Sequence, residues 1–244
     1  MRTVLIIPAR YHSSRLKGKP LMEIEGKPMV WWVYHQMKKS SKVDEIFVAT
    51  DSDEICAVCK EYDMNCVMTS PEHKTSTERL YEASLKIPAA DVYICVNGDE
   101  PLLEAGTMEQ VIPENPEDFF AANLMTRIKH PVEAVDDTNI KVVTDAKGNA
   151  MFMSRSPIPH PKASIFFEYY KHLGVLAYSP QALRFFADTP KGPVETVEDI
   201  NELRFIEHGK KLRMIPVETE TLSVDTAKDL EYVRRVIKER SRRA

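Results

Sequence analysis

The chain has no apolar run of about 18 residues, so it offers no hydrophobic span for a bilayer. It has only four cysteines, Cys56, Cys59, Cys66 and Cys95. Cys56 and Cys59 form a C-x-x-C, but no second pair stands at zinc-ligand spacing, which argues against a structural zinc site. At that spacing inside a helical pattern, the two thiols are expected to share a face and pack. An excess of positive charge is also missing: the net charge is −4, which argues against general nucleic-acid binding. No internal repeat or low-complexity linker is visible. The N-terminus enters a strand directly, without the charged and apolar regions of a signal peptide, so a cytoplasmic protein is expected. The 244 residues, 43% hydrophobic and 29% charged, suffice for a full core in one domain, with or without an appended lobe. The basic end, Lys238 to Arg243, reads as the close of a helix.

What is present is an alternation of strand and helix. Thr3-Val4-Leu5-Ile6-Ile7 is rich in β-branched residues and reads as a strand buried on both faces. A helix is expected over 28–39, started by Pro28, then a strand at Ile46-Phe47-Val48-Ala49 and a helix over 53–62. A short strand near Cys66-Val67-Met68 follows. A helix over 77–85 is capped by Thr75, Ser76 or Thr77, and Val92 to Val96 is another buried strand. Such an order predicts the α/β class, with a doubly wound, mostly parallel, Rossmann-like sheet. The second half is less regular. Ile140 to Thr144 and Met151 to Ser154 flank Asp145-Ala146-Lys147-Gly148 as a hairpin, and Pro157, Pro159 and Pro161 enforce an extended stretch. Lys171 to Tyr178 returns to strand, and Val197 to His208 reads as one helix stopped by Gly209. A strand over 212–216 and a closing helix over 226–240 complete the chain. Residues about 120–175 read as a small inserted β-rich lobe, placed to cover a site or pair with another subunit.

Ligands of parallel sheets gather outside the carboxyl ends of the strands. There the first strand is followed by Pro8-Ala9-Arg10, then Ser13, Ser14, Arg15, Lys17, Gly18 and Lys19. Cations and hydroxyls on one loop suit a small polyanion, most simply a polyphosphate. Thr50-Asp51 and Asn97-Gly98-Asp99-Glu100 open onto the same edge. Thr75-Ser76-Thr77 begins a helix there, and reads either as an ordinary cap or as amides and hydroxyls for a nucleotide. Asp99 is placed to hold Mg²⁺ or to serve as a turn residue. Asp225 reads locally as part of a helix cap, with Thr226 and Asp229 in a capping arrangement. His172 inside a strand reads first as a satisfied core residue. Arg155, after Ser154, can meet a carboxylate bidentately or form a surface ion pair.

Taken in order, these segments resemble the 3-deoxy-manno-octulosonate cytidylyltransferases, the CMP-Kdo synthetases. The resemblance rests on Pro8-Ala9-Arg10-Tyr11, Ser13-x-Arg15-Leu16 and Gly18-Lys19-Pro20-Leu21. It continues through Ala49-Thr50-Asp51, Thr77-Glu78-Arg79-Leu80 and Gly98-Asp99-Glu100-Pro101. Phe152-x-Ser154-Arg155-x-Pro157-Ile158-Pro159, Lys171-His172-Leu173-Gly174 and Val224-Asp225-Thr226 complete it. It implies a nucleotidyltransferase fold and transfer of CMP from CTP to an acidic acceptor. By the resemblance Arg10, Arg15 and Lys19 contact the CTP phosphates, and Ala9, Thr75, Ser76, Thr77, Arg79 and Asn97 surround the nucleotide. Asp99 and Asp225 hold Mg²⁺, against the cap reading of Asp225. Arg155 and His172 face the acceptor. A homodimer with contacts around 140–160 and a role in lipopolysaccharide synthesis are implied in the same way.

The departures from the family pattern cluster. Asn97 stands where a glutamine is usual, Leu176 where a tyrosine is usual, and Asn201-Glu202 where a Glu-Gln pair is usual. Ser76 replaces a glycine and Lys17 a proline. By the resemblance Asn97, Leu176, Asn201 and Glu202 face the sugar acid, so the acceptor is expected to differ. Glu202 suits an amino group on the acceptor, or pairs with Arg204 or Lys210. The alternatives are an amino-octulosonate, another 2-keto sugar acid, a phosphonate or a phosphate monoester. A sugar-1-phosphate nucleotidyltransferase would carry a glycine-rich loop after the first strand, where Gly18 is the only glycine. A non-catalytic nucleotide-binding protein would be expected to lack one of Lys19, Asp99 or Asp225.

Overall fold

The computed structural model describes residues 1–11, 16–164, 166–219 and 222–243. In chain order the first elements are β1 (Thr3–Ala9), the short β2 (Glu23–Ile24) and β3 (Lys27–Pro28), and α1 (Met29–Met37). They are followed by β4 (Glu45–Thr50), α2 (Asp53–Glu61), β5 (Cys66–Met68), α3 (Ser76–Lys86), β6 (Val92–Val96) and α4 (Ala105–Met108). Next come β7 (Ala121–Arg127), α5 (Pro131–Val135), β8 (Lys141–Thr144), β9 (Ala150–Ser154) and β10 (Tyr170–Tyr178). The last are α6 (Pro180–Asp188), α7 (Pro193–Glu198), α8 (Leu203–Glu207), β11 (Arg213–Pro216) and α9 (Ala227–Arg243).

The chain divides into two compact units. The first comprises Met1–Glu109 with Thr219–Ala244, and the second Gln110–Glu218; the lobe expected at about 120–175 falls within the latter. In the first unit β1 pairs in parallel with β4 and β6, and β4 with β5. β6 is buried throughout and β1 at six of its seven positions, as a strand covered on both faces requires. Because the strands are parallel, Ala9, Thr50, Met68 and Val96 all end on one edge. The last helix also belongs here. Leu230, Val233 and Ile237, at helical spacing on one face, pack with Ile24, Met29 and Leu102. That packing anchors the segment carrying Asp225.

In the second unit β7 pairs antiparallel with β10 and parallel with β11, while β8 pairs antiparallel with β10 and β9. The expected hairpin is therefore present. The single helix expected over 197–208 is not: it is two helices, broken at Asp199, whose φ is 52°. The carbonyls of Glu198 and Asp199 accept from the Arg155 guanidinium at 2.8 and 3.1 Å, and so leave the helical ladder. Gly209, at φ 71°, does end α8. Another expectation is corrected at the cysteines. Cys56 does not pack beside Cys59 as a thiol but forms a disulfide with Cys66, joining α2 to β5. Cys59 and Cys95 are buried and take no part in a disulfide.

Candidate active site

Three segments of the first unit meet around Lys19. The first is a turn. Gly18 takes φ +68°, open to glycine at little cost, and its N–H donates to the Tyr11 carbonyl at 2.9 Å. Lys19 then opens a short 3₁₀ turn with Pro20 buried beneath it. The second is the loop after β6. A Cβ on Gly98 would stand 3.2 Å from the Pro8 carbonyl, a tight contact, so glycine lets this loop lie close against the end of β1 without displacing it. The third is the segment before α9. The Val224 N–H donates to the Asp99 carbonyl at 2.9 Å. The Lys19 ammonium closes the junction, donating to Asp99 Oδ2 at 2.6 Å, to the Val224 carbonyl at 2.8 Å and to Asp225 Oδ1 at 3.3 Å.

Lys19, Asp99 and Asp225 are thus brought together although 206 residues separate the first from the last. Asp225 is not the helix cap that its local sequence suggests. Thr226 takes that role: its Oγ accepts the Asp229 N–H at 3.2 Å, and Asp229 accepts the Thr226 N–H at 2.7 Å. The second oxygen of Asp99, Oδ1, is buried without a hydrogen-bond partner, an arrangement that is costly unless a ligand completes it. Two carboxylates, one with an unanswered oxygen, fit Mg²⁺, which takes one or two carboxylates and fills its remaining positions with phosphates and water. Among the described residues no group of three or more His, Cys, Asp or Glu side chains is placed to hold a metal.

The other nucleotide candidates lie along the same strand ends or at the start of α3. Ala9 is buried at the end of β1, and Arg10 is exposed just beyond it. Arg15, with Ser13 and Ser14, lies outside the described residues. Thr75 caps α3, its side chain accepting the Glu78 N–H at 3.1 Å while Glu78 accepts the Thr75 N–H at 3.1 Å. Ser76 is half-buried and Thr77 buried in the first turn. Arg79 is buried too, and its guanidinium binds Asp51 Oδ2 at 3.1 Å and the Thr69 hydroxyl. It therefore ties the loops after β4 and β5 to α3. Asn97 is half-buried, and its carbonyl accepts the Glu100 N–H at 3.3 Å.

The acceptor candidates other than Asn97 belong to the second unit. Arg155 forms neither a surface ion pair nor a free arm: besides Glu198 and Asp199 it donates to the Asp137 carbonyl at 3.0 Å. Its own N–H is held by the Glu198 carboxylate at 2.9 Å. Lys141, fully buried, supports the same place by donating to the carbonyls of Asp136, Asn139 and Arg155. His172 contacts Asn123 Oδ1 through Nδ1 at 3.2 Å. Burial, aided by the Arg155 charge, lowers its pKa to about 4, so the ring is neutral near pH 7. Leu176 is buried on β10. Between His172 and Leu176 the β7–β10 register shifts, and Asn123 spans the irregularity by donating to the carbonyls of Leu173 and Val175 at 2.7 and 2.9 Å. No sequence motif surrounds Asn123 to mark this role. Asn201 is half-buried and Glu202 buried in the turn between α7 and α8. Glu202 does not pair with Arg204, which forks onto Glu195 at 2.8 and 2.6 Å.

A profile of the family described as cytidylyltransferase matches residues 4–212. The chain belongs to the cytidylyltransferase family. A 3-deoxy-manno-octulosonate cytidylyltransferase of Hydrogenovibrio crunogenus is 37% identical over 240 residues, 96% of this chain and 97% of that one. An 8-amino-3,8-dideoxy-manno-octulosonate cytidylyltransferase of Shewanella baltica is also 37% identical, over 94% of this chain and 96% of its own. A solved CMP:2-keto-3-deoxy-manno-octonic acid synthetase complexed with CTP superimposes with a TM-score of 0.90 at 34% identity. It spans 98% of this cytidylyltransferase and 100% of its own chain.

Proposed function

We infer that this protein is a nucleotidyltransferase that moves CMP from CTP to a 3-deoxy-manno-octulosonate-like sugar acid, releasing pyrophosphate. The observation that carries this reading is the junction of Lys19, Asp99 and Asp225 at the carboxyl edge of a parallel sheet, in a chain whose full-length relatives are cytidylyltransferases. The reaction asks little covalent help of a protein. An acceptor oxygen attacks the α-phosphorus in line, and the α–β phosphoanhydride bond breaks. Positioning and neutralisation of the developing charge carry the rate.

In this reading Arg10, Arg15 and Lys19 grip the triphosphate, and Lys19 offsets the charge that grows on the leaving pyrophosphate. Mg²⁺ accompanies CTP at Asp99 and Asp225, supported by the unanswered Asp99 oxygen; it would supply Lewis-acid polarisation of the phosphate. Ala9, Asn97 and the start of α3, from Thr75 to Thr77, receive the nucleoside, with Arg79 holding the surrounding loops. Arg155, His172, Leu176, Asn201 and Glu202 meet the acceptor. A homodimer joined through the second unit is supported by large apolar side chains left open there, Met151 at 61% and Phe166 at 93% exposure. The use of CTP and the making of an activated sugar acid favour the cytoplasm and lipopolysaccharide synthesis. The test is pyrophosphate release from CTP in the presence of 2-keto sugar acids, with and without Mg²⁺. Release dependent on both acid and metal is expected, and chelation abolishes it.

A further inference from the structure

The C-x-x-C of α2 has no part in the chemistry above, and its two cysteines differ. Cys59 is fully buried, and burial pushes its thiol up to about 11, so it offers almost no thiolate near neutral pH. Cys56 is half-buried and bonded to Cys66, itself half-buried at the first position of β5. The bridge is thus partly open to an external thiol, while the neighbouring Cys59 is not poised to exchange with it.

β5 leans on that bridge more heavily than an inner strand would. It is an edge strand of three residues, none of them buried. It pairs with β4 at Cys66, Val67 and Met68, and the exposed Lys86 ammonium holds the Met68 carbonyl at 2.9 Å. Yet the chain leaving β5 helps to build the carboxyl edge of the sheet. The Thr69 N–H and hydroxyl both donate to the Thr50 carbonyl, at 2.8 and 3.1 Å. The same hydroxyl accepts from the Arg79 guanidinium, which also binds Asp51 at 3.1 Å. Asp51 stands directly before Ser52, the cap of α2. The path from Asp51 along α2 to Cys56, across the bridge to Cys66 and on to Thr69 therefore returns to Asp51 through Arg79. The disulfide closes a ring around the loops that follow β4 and β5.

We propose that the Cys56–Cys66 bridge is a thiol–disulfide exchange site that controls nucleotide binding. A dithiol reductant opens it, β5 and the Thr69–Arg79–Asp51 clamp loosen, and CTP binds more weakly. This rests on the cytidylyl-transfer reading for the identity of the ligand. In the exchange, a thiolate of the reductant attacks one sulfur of the bridge and releases the other as a thiolate, which takes up a proton. The second thiol of the reductant then resolves the mixed disulfide. The protein gains two electrons and two protons, and the reductant leaves as a disulfide. Cytoplasmic thiol systems keep cysteines reduced, so in the compartment proposed above the bridge meets reductants of this class.

The experiment takes the full chain oxidised and after reduction with dithiothreitol. It measures amide hydrogen exchange across residues 66–70 and, by calorimetry, the Kd for CTP with Mg²⁺. Reduction is expected to speed exchange of the Thr69 N–H and to raise Kd about threefold or more, as when the competent site is populated about a third of the time or less. Oxidised glutathione restores both, so the comparison is complete in the wild-type chain even if a variant fails to fold. Cys66→Ser shows the reduced values from the start and does not respond to dithiothreitol, whereas Cys59→Ser responds like wild type. A Kd that reduction leaves unchanged overturns the proposal, and so does a response that persists in Cys66→Ser. A bridge that stays intact in excess reduced glutathione, read by thiol titration, is a staple and overturns it as well. CTP bound equally by both forms removes only this control. CTP bound by neither form overturns the cytidylyl-transfer reading with it.

Discussion

Lys19 reaches two carboxylates and a main-chain carbonyl from a turn that Gly18 and Pro20 fix in place. Lys19→Met should therefore lower kcat/KM for pyrophosphate release by about 10²–10³, the usual effect of removing one charge-stabilising donor. Lys19→Arg should restore little of it, since a planar fork does not replace a compact ammonium among three acceptors. Burial separates the ionisation of two other residues from their ordinary values. His172, lowered to about 4, should show no ring titration by NMR between pH 5.5 and 8. Its folded pKa lies below that of the free side chain, about 6.5, so its contribution to stability is lost as pH falls from that value toward 4. Glu202 behaves oppositely. Its carboxyl is raised from 4.5 to about 7, so the folded chain holds that proton longer than the unfolded one. Its contribution is fully present below about 4.5 and is lost as pH rises through 7. Glu202→Gln should therefore gain stability relative to wild type between pH 5 and pH 8, read as the difference in urea midpoints without ligand.

At the scale of elements, much was legible because local pattern and tertiary demand agreed. The β-branched runs of β1, β4 and β6 are buried strands in the structure, and α3 is capped by one of the three residues expected, Thr75. Thr75→Ala should cost about 1 kcal/mol in a denaturant titration. Other elements were hidden for physical reasons. Ala121 to Arg127 has no alternation and includes Ala, Leu and Met, which favour helix, yet it lies between β10 and β11 and is buried as a strand. Helix α6 does carry local start signals, with Ser179 as its cap and Pro180 in its first turn. The break at Asp199 could not be read locally, because it depends on Arg155 from 44 residues away drawing the carbonyl out of the ladder. The Cys56–Cys66 bond likewise depends on β5 lying beside α2. The unreduced, denatured chain should show two titratable thiols, those of Cys59 and Cys95, and four after reduction. Reduction should remove up to about 3 kcal/mol of stability for so short a loop.

For the whole molecule, the candidate residues sort by compact unit. The phosphate, metal and nucleoside candidates belong to the unit built from both chain ends, and the acceptor candidates, Asn97 excepted, to the unit between them. In the sequence the first half carries regular α/β alternation, while the second carries the hairpin, the prolines and the altered positions Leu176, Asn201 and Glu202. Lys19, Asp99 and Asp225 could be recognised only through family resemblance, since turn and cap chemistry explains each one locally. Their convergence in one place supports the nucleotidyltransferase reading. The measurement that tests it most directly is ³¹P NMR of the full chain with CTP, Mg²⁺ and a 2-keto sugar acid of the octulosonate class. Equimolar pyrophosphate and a CMP-linked sugar acid are predicted, both lost in Lys19→Met. Unchanged CTP with every such acid, or pyrophosphate formed without one, would contradict the account.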